Sequence, residues 1–361
     1  MVELSWDVAI AGGGPGGSAA ALSLRAYAPS LSVVLIEASA YDEARLGESL
    51  PPAAGRILDH LGLTKSFPPH RRREVHGTAA AWGAAALQEN DFIYSIRGSG
   101  WHLDRPGFDA LLAFEAAARG ASRLTRTVVR GVERSEGVWR LSLSSDDAIR
   151  ARFVVDATGR AATVARQCGA RFHRKDRLVS FSRLFEDRHE DPRTVVEAWS
   201  GGFWYTAGLP GGRRLAACLT DADVARRERL SDRARWTRVL EATAHVSLRV
   251  RGAAPLSPLA ARATESRVLS PPAGSGWLAV GDAASIFDPL SAQGITKAMR
   301  SGVFAAYAIG DSLERGDDSG LARYQRFVRE EFASYLDLRS RYYRRETRWP
   351  DQEFWRRRRP A

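Results

Sequence analysis

Residues 8–37 restrict this chain more tightly than any other stretch. The apolar run 8–11 is followed by Gly12-Gly13-Gly14-Pro15-Gly16-Gly17-Ser18, then an alanine-rich segment beginning Ala19-Ala20-Ala21-Leu22, then a second apolar run, 31–36, closed by Glu37. The order predicts a buried strand, a glycine turn, a helix of about four turns and a second buried strand ending in a carboxylate. Gly12 lets the chain turn off the strand, Gly14 lets the backbone approach a pyrophosphate, and Gly17 lets the helix lie close against the sheet. Phosphates then meet the free N–H groups and positive end of that helix. Glu37 accepts hydrogen bonds from a ribose diol and repels a 2′-phosphate, which favours FAD or NAD over NADP. A glycine-rich turn in an ordinary α/β protein would explain the glycines, but not strand, turn, helix, strand and acid in one register.

The chain has 361 residues, 44% of them apolar, enough for two interlocked lobes around a sizeable core. Too few residues precede Val8 for a signal peptide and no apolar run approaches membrane-spanning length, so a cytoplasmic protein without membrane insertion is expected. Cys168 and Cys218 are the only cysteines and the seven histidines form no paired motif, so buried thiols and no metal are expected. The net charge is +11, and Lys65, Lys175 and Lys297 are the only lysines. Such a surplus favours anionic ligands or an acidic partner surface. The arginines are scattered apart from residues 71–73 and 356–359, and no nucleic-acid motif accompanies them, so no nucleic-acid partner is expected.

Along the chain, Arg45, Glu48 and Ser49 place a cation, an anion and a hydroxyl on a loop leaving the nucleotide site, where they reach the far end of a cofactor or simply cap a helix over 53–61. Residues 75–100, around Trp82, suggest strands leaving the nucleotide domain. Residues 101–109 return to it through a strand, an Asp104 cap and a helix from 106 to about 118. Residues 128–132 and 138–143 read as a small β-meander, and Val154-Val155-Asp156-Ala157-Thr158-Gly159 as a second strand-to-helix turn. From 171 to 262 the pattern turns to β, with strands over 178–186, 194–200, 203–209 and 213–221 and one helix over 231–243. Trp199, Phe203, Trp204 and Tyr205 crowd this sheet, as plain packing or as the lining of an aromatic site. A buried strand then delivers Asp282 for a ribityl hydroxyl, and a proline loop feeds a helix from 295 to about 313. The N–H groups of Gln293, Gly294 and Ile295 at its start suit the negative charge of a reduced flavin. Residues 321–347 read as an amphipathic helix, and Trp349, Phe354 and Trp355 pack the tail onto the body.

Taken in order, GGGPGGS with Glu37, RLGESLPP, WHLDRPGFDALL, VVDATGR and GDAASIFDPLSAQGI resemble the flavoprotein monooxygenases of the p-hydroxybenzoate hydroxylase fold, over nearly the whole chain. The resemblance implies an α/β architecture: a Rossmann-like FAD-binding domain (residues 1–75, 100–170 and 264–318) interleaved with an antiparallel β-sheet substrate domain (76–99 and 171–263), and a C-terminal helix and basic tail (319–361). It implies FAD, with Gly12, Gly14, Gly17 and Glu37 on its AMP half and Pro15, Ala38 and Val129 also among the cofactor-binding residues. Arg45, Glu48, Ser49, Arg105 and Asp282 would surround the pyrophosphate and ribityl chain, and Pro289, Gln293, Gly294 and Ile295 the isoalloxazine. Trp82, Trp199, Trp204 and Tyr205 would line the substrate pocket, and Glu48 is the candidate catalytic group.

Within that superfamily the GES segment resembles the branch of the tryptophan halogenases and geranylgeranyl reductases. A halogenase would need a lysine after GES to direct hypohalous acid, but residues 66–174 hold none, and its W-x-W-x-I-P signature is missing around Trp204. FWYTAGLPGG, DPLSAQGITKA and the RW…FW-R-R ending look more like the small flavoproteins of tryptophylquinone cofactor biogenesis. That resemblance implies O2, an electron donor (NAD(P)H or a reductase), and oxygen transfer from a flavin C4a-hydroperoxide to a tryptophan side chain of a partner protein. The alternatives are a halogenase-like or prenyl-reducing enzyme on a small molecule, and a non-catalytic flavin-binding assembly factor.

Overall fold

The computed structural model describes residues 4–43, 45, 47–64, 66–92 and 98–359. Three stretches named above lie partly outside them: Ala44 and Leu46 of the RLGES loop, Lys65, and residues 93–97 of the expected strands over 75–100. Among the described residues no helix is long and apolar enough to cross a membrane.

The first strand, Leu4–Ala11, is the spine of an eight-stranded sheet. Ala148–Asp156 runs parallel to it on one side, Val33–Ile36 on the other, and Trp277–Ala279 and Ser122–Leu124 extend the sheet outward. Parallel strands are covered on both faces, and Val33–Ile36 is accordingly four consecutive buried residues. The meander forms as expected, Val129–Ser135 pairing with Val138–Leu143 and that strand with Ala148–Asp156, all antiparallel.

A second, seven-stranded sheet carries the β-rich segment. Its order is Ala260–Ala263, Leu178–Glu186, Arg213–Asp221, Gly202–Leu209, Thr194–Trp199, Gly77–Ala81, Gln88–Asp91. Alternation along these strands splits the side chains between two faces. Val195, Trp199 and Trp204 pack with Trp236 on one face; Val196, Ala198, Phe203 and Tyr205 face the C-terminal tail on the other. A small sheet of Ser49–Leu50, Gly100–Leu103 and Arg72–Val75 joins the two halves. Its His102 is buried, with Nδ1 on the Gly208 carbonyl and Nε2 on the Thr194 hydroxyl, at 2.8 and 2.9 Å. A carbonyl can only accept, so Nδ1 carries the proton. Burial, with Arg214 and Arg73 nearby, pushes the imidazole down to about 4, so it is a neutral strut at pH 7.

Several elements differ from the sequence expectation. The helix over 53–61 is a 3₁₀ turn, Pro52–Ala54, running into Gly55–His60. Asp104 precedes the helix Arg105–Ala118 but makes no side-chain cap; Arg71 and Arg213 claim its carboxylate instead. The helix over 231–243 forms as Arg233–Glu241, and two further short helices that the sequence did not signal, Ala222–Arg227 and Val246–Val250, flank it. Cys218 is buried, whereas Cys168 is only half-buried.

Two long helices close the molecule. Gly294–Arg315 crosses Pro15–Tyr27 so closely that a Cβ on Gly302 would stand 2.3 Å from the Gly16 carbonyl oxygen and 2.8 Å from Ala20 N. Ser319–Arg345 packs behind, and Trp355 of the tail is fully buried against the second sheet, its indole N–H on the Trp199 carbonyl at 2.9 Å. Both contacts at Gly302 are to backbone, which cannot rotate aside. Gly302→Val should therefore lower stability by about 1–3 kcal/mol, seen as a fall of several degrees in Tm, whereas Gly55→Ala, at a helix start with ordinary helical φ and open space around it, should cost much less.

Candidate functional site

The glycine turn has the shape its spacing predicts. Gly12 has φ +114°, and a Cβ there would lie 2.1 Å from the Ala157 carbonyl oxygen. A Cβ on Gly17 would lie 1.9 Å from the Gly12 carbonyl. These two glycines exist for close packing of turn, helix and neighbouring strand. Gly14 is different: it precedes Pro15, the first residue of the helix Pro15–Tyr27, and a Cβ on it would meet nothing within 4 Å. The turn thus leaves an open cradle at the helix N-terminus, the position where backbone N–H groups receive a pyrophosphate. The chemistry of this cradle fits FAD.

Glu37 ends the second strand, buried, and is held from several sides. Gly13 N donates to Oε2 at 2.7 Å, while Oε1 takes Ser39 N, Ser39 Oγ and Arg45 at 3.0, 2.6 and 2.8 Å. Burial acts to raise its pKa, but the hydrogen bonds from Ser39 and Gly13 and the Arg45 charge outweigh it, so the carboxyl is held below its ordinary range. Oε2 keeps accepting capacity for a ribose hydroxyl. Ala38 is exposed beside it, and Thr127 N bonds the Glu37 carbonyl at 3.0 Å, bringing Val129 to the same end.

The Arg45 guanidinium bridges Glu37 and the fully buried Asp109, at 2.8 and 3.1 Å, so its charge is engaged by two carboxylates next to the glycine turn. Arg105 binds Asp109 from the other side and reaches the Gly47 carbonyl at 2.6 Å. The series Glu37, Arg45, Asp109, Arg105 thus runs from the ribose acceptor to the GES loop.

Glu48 is buried at the end of that series. Gly47 N donates to it at 3.0 Å, and the Tyr205 phenol of the second sheet lies close enough to interact with it. Burial pushes its pKa above the ordinary glutamate range, against the pull of backbone hydrogen bonds and of Arg105. Burial and the Glu48 charge raise Tyr205 well above its usual value. Ser49 begins the strand that pairs with His102.

The third stretch meets the first. Gly281, φ +61°, follows the strand Trp277–Ala279; its Cβ would be 3.9 Å from Gly16 Cα, and its N–H bonds Ser301 Oγ at 2.8 Å. Asp282 is half-exposed and paired with Lys297 at 3.2 Å. Lys297 is buried and also donates to the Gly281 and Ser285 carbonyls. Pro289 and Gly294 are exposed on the loop and helix start, with Gln293 preceding the helix and Ile295 buried beneath.

Asp288 is the residue the sequence reasoning passed over. One oxygen accepts from Leu290 N at 2.9 Å; the other takes Tyr343 Oη at 2.6 Å and Arg339 Nε at 3.2 Å, while Tyr335 Oη accepts from Asp288 N at 2.7 Å. Tyr335, Arg339 and Tyr343 are spaced by four residues on Ser319–Arg345, which puts them on one helix face. That spacing was the available signal.

The aromatic residues divide. Tyr205 faces Glu48, but Trp204 is fully buried against Trp236, ring centres 5.1 Å apart, and Trp199 packs on that same far face. These two are corrected to core, because strand alternation turns them away from Tyr205. Trp82 lies on the Tyr205 side, edge-on to Phe203, Tyr343 and Trp355.

A model of the FAD binding domain matches residues 5–336. The chain is 29% identical, over 98% of its length and 97% of the relative's, to LodB of Marinomonas mediterranea, named as an FAD-dependent oxidoreductase. Among solved structures it is similar to CmlS, a flavin-dependent halogenase (27% identity, TM-score 0.89, covering 100% of this chain and 68% of that one). It is also similar to QhpG, a peptidyl tryptophan dihydroxylase essential for tryptophylquinone cofactor biogenesis (25% identity, TM-score 0.76, covering 98% and 78%).

Two outcomes are expected. Gly14→Val has room in the folded protein, so it should keep a folded far-UV circular dichroism spectrum yet purify colourless, without FAD; full flavin occupancy would remove Gly14 from the site. Glu48 binds its proton more tightly folded than unfolded, so its contribution to stability is present at low pH and lost as pH rises through the raised folded pKa. Glu48→Gln should therefore raise Tm at pH 8 and lose that advantage towards pH 5.

Proposed function

The chain belongs to the FAD binding domain family, and on that premise we propose that it is an FAD-dependent monooxygenase that hydroxylates an aromatic ring, its substrate a tryptophan side chain of a partner protein during maturation of a quinone cofactor. The observation that carries this reading over halogenation is the lack of any lysine over residues 66–174, together with the burial of Lys297. The Lys297 ammonium is bonded to Gly281, Asp282 and Ser285, and Lys175 is exposed beyond the strand Arg171–Arg174. The similarity to QhpG supports a peptidyl tryptophan as the target.

When bound and reduced, by NAD(P)H or a reductase, FAD supplies the electrons that activate O2. The cradle at Gly14 and the carboxylate of Glu37 would hold its AMP half, Asp282 its ribityl chain, and the loop from Pro289 to Ile295 its ring. The N–H groups at the start of Gly294–Arg315 stabilise negative charge placed there. The Asp288 clamp fixes that loop, and Glu48 with Tyr205 holds a proton in a water-poor setting between loop and sheet. Glu48 is the group proposed to act on the substrate side.

Halogenation is the second reading, favoured by the similarity to CmlS. One experiment separates the two. Candidate partner proteins are coexpressed with and without this chain in medium containing chloride and bromide, and their tryptophan peptides are analysed by mass spectrometry. Added oxygen is the expected result; added halogen would replace the proposal with the second reading. Unmodified tryptophan in a partner that nevertheless matures only with this chain present would point to a non-catalytic assembly factor.

A further inference from the structure

An open basin of about 400 Å³ lies between the strand Arg72–Val75 and the tip of the hairpin that joins Gly202–Leu209 to Arg213–Asp221. Its walls include His70, Arg72, Arg73, Asp187, His189 and Leu209. The carboxylate in this set is already neutralised twice: Asp187 binds Arg73 and the fully buried Arg214, the latter at 2.8 Å. Arg73 is spent on Asp187 and on the carbonyls of His189 and Glu190. Arg72 is not. Its guanidinium lies over the rings of Phe67 and Trp101, 5.6 and 5.4 Å from their centres, and no acid among the described residues pairs with it. His189 Nδ1 receives hydrogen bonds from Arg249 and Asp191 N, at 3.1 and 3.3 Å, which leaves Nε2 carrying the proton as a donor. The hairpin tip is Gly211-Gly212, both at positive φ and with open space around Gly212, so no side chain closes the mouth. The basin therefore offers one uncompensated cation on an aromatic shelf, further donors, and no free anion to repel a carboxylate.

Its position matters as much as its charge. Leu209 on its wall belongs to the same apolar cluster as Tyr205, whose phenol lies close to Glu48. Four residues of extended strand separate them, roughly 13 Å. An extended peptide covers that distance in about four residues.

We propose that this basin docks an acidic segment of the partner protein, its carboxylates on Arg72, so that a tryptophan about four residues away is presented at the Glu48–Tyr205 end of the site. The assignment rests on the protein-substrate reading given above and names the feature of the substrate that this chain recognises.

Binding is measured on the flavin-loaded protein by fluorescence anisotropy, with a labelled peptide that carries a central tryptophan and glutamates four residues to either side. The glutamine version should bind about tenfold more weakly, a difference of one charge contact at about 1.4 kcal/mol, and added salt should erase the difference. Arg72→Glu should lose the glutamate peptide and gain a lysine version of it. Arg344→Glu makes the same change of net charge on an exposed helix position away from the basin, and should leave binding unchanged. Should Arg72→Glu fail to load flavin, His70→Ala, at an exposed position on the basin wall, gives the same comparison at smaller amplitude. Equal binding of the glutamate and glutamine peptides overturns the assignment. So does displacement of the peptide by neither variant but by NADPH or inorganic phosphate, which would make the basin a nucleotide or phosphate site. Because binding is read without turnover, charge-dependent binding with no oxygen added to the tryptophan counts against the proposed reaction and not against the docking site.

Discussion

The contact on which the rest of the structure depends is a close approach of three main-chain segments at glycines. The helix Pro15–Tyr27, the turn at Gly281 and the helix Gly294–Arg315 come within van der Waals distance through Gly16, Gly281 and Gly302. A methyl group on Gly302 would collide with main-chain atoms of the first helix. This is why two stretches far apart in sequence can share one extended ligand: the N-terminus of each helix is positioned relative to the other by contact between rigid elements. Loop geometry alone would leave that spacing loose. Interiors packed at this density transmit displacement, so the cradle at Gly14 and the helix start at Gly294 are fixed as a pair.

What was legible in the sequence was what local periodicity and backbone sterics determine. The glycines at 12, 14 and 17 could be read because each answers a distinct steric demand, and the structure separates them: two in collision range of backbone, one facing open space. The four strands over 178–221 were legible for the same reason, since alternation and Gly-Gly turns are local signals. The partners of Arg45 were not, because the reach of an arginine side chain exceeds what position on a loop can specify, and Glu37 and Asp109 both bind it. Trp204 was misread through proximity. Neighbours on a strand point to opposite faces, so Trp204 and Tyr205 adjoin in sequence and are separated by the sheet. Asp104 has the residue type of a cap, yet Arg71 and Arg213 outcompeted the helix N–H groups.

The arginine excess also takes on a different meaning in three dimensions. Sequence alone offers a surplus of positive charge and hence an anionic partner. A few of the arginines are turned inward, however, and paired: Arg214 with Asp187, Arg339 with Asp288 and Asp176, Arg358 with Asp221. Such pairs gain little net stability against apolar replacements, because both charges must be desolvated. They do impose geometry, since a buried guanidinium left without its acceptors is far more costly than an apolar mismatch.

Asp288 shows what that geometry accomplishes. It belongs to the loop that the resemblance assigns to the flavin ring, yet its carboxylate is held by Arg339 and Tyr343 from the helix Ser319–Arg345. The Tyr343 ring in turn lies beneath Arg358 of the tail, 5.1 Å away, and Arg358 is also stacked 3.6 Å from the centre of Phe354 while bonding Asp221 at the end of Arg213–Asp221. A continuous line of directed contacts therefore joins the loop to the helix, the helix to the tail and the tail to the sheet that carries Tyr205. An apolar contact would tolerate sliding of one part over another, whereas a carboxylate shared between a phenol and a guanidinium is satisfied at one position of the loop. The tail, which the sequence offered only as aromatic packing, is thus part of what fixes the distance between the loop and the Glu48–Tyr205 pair.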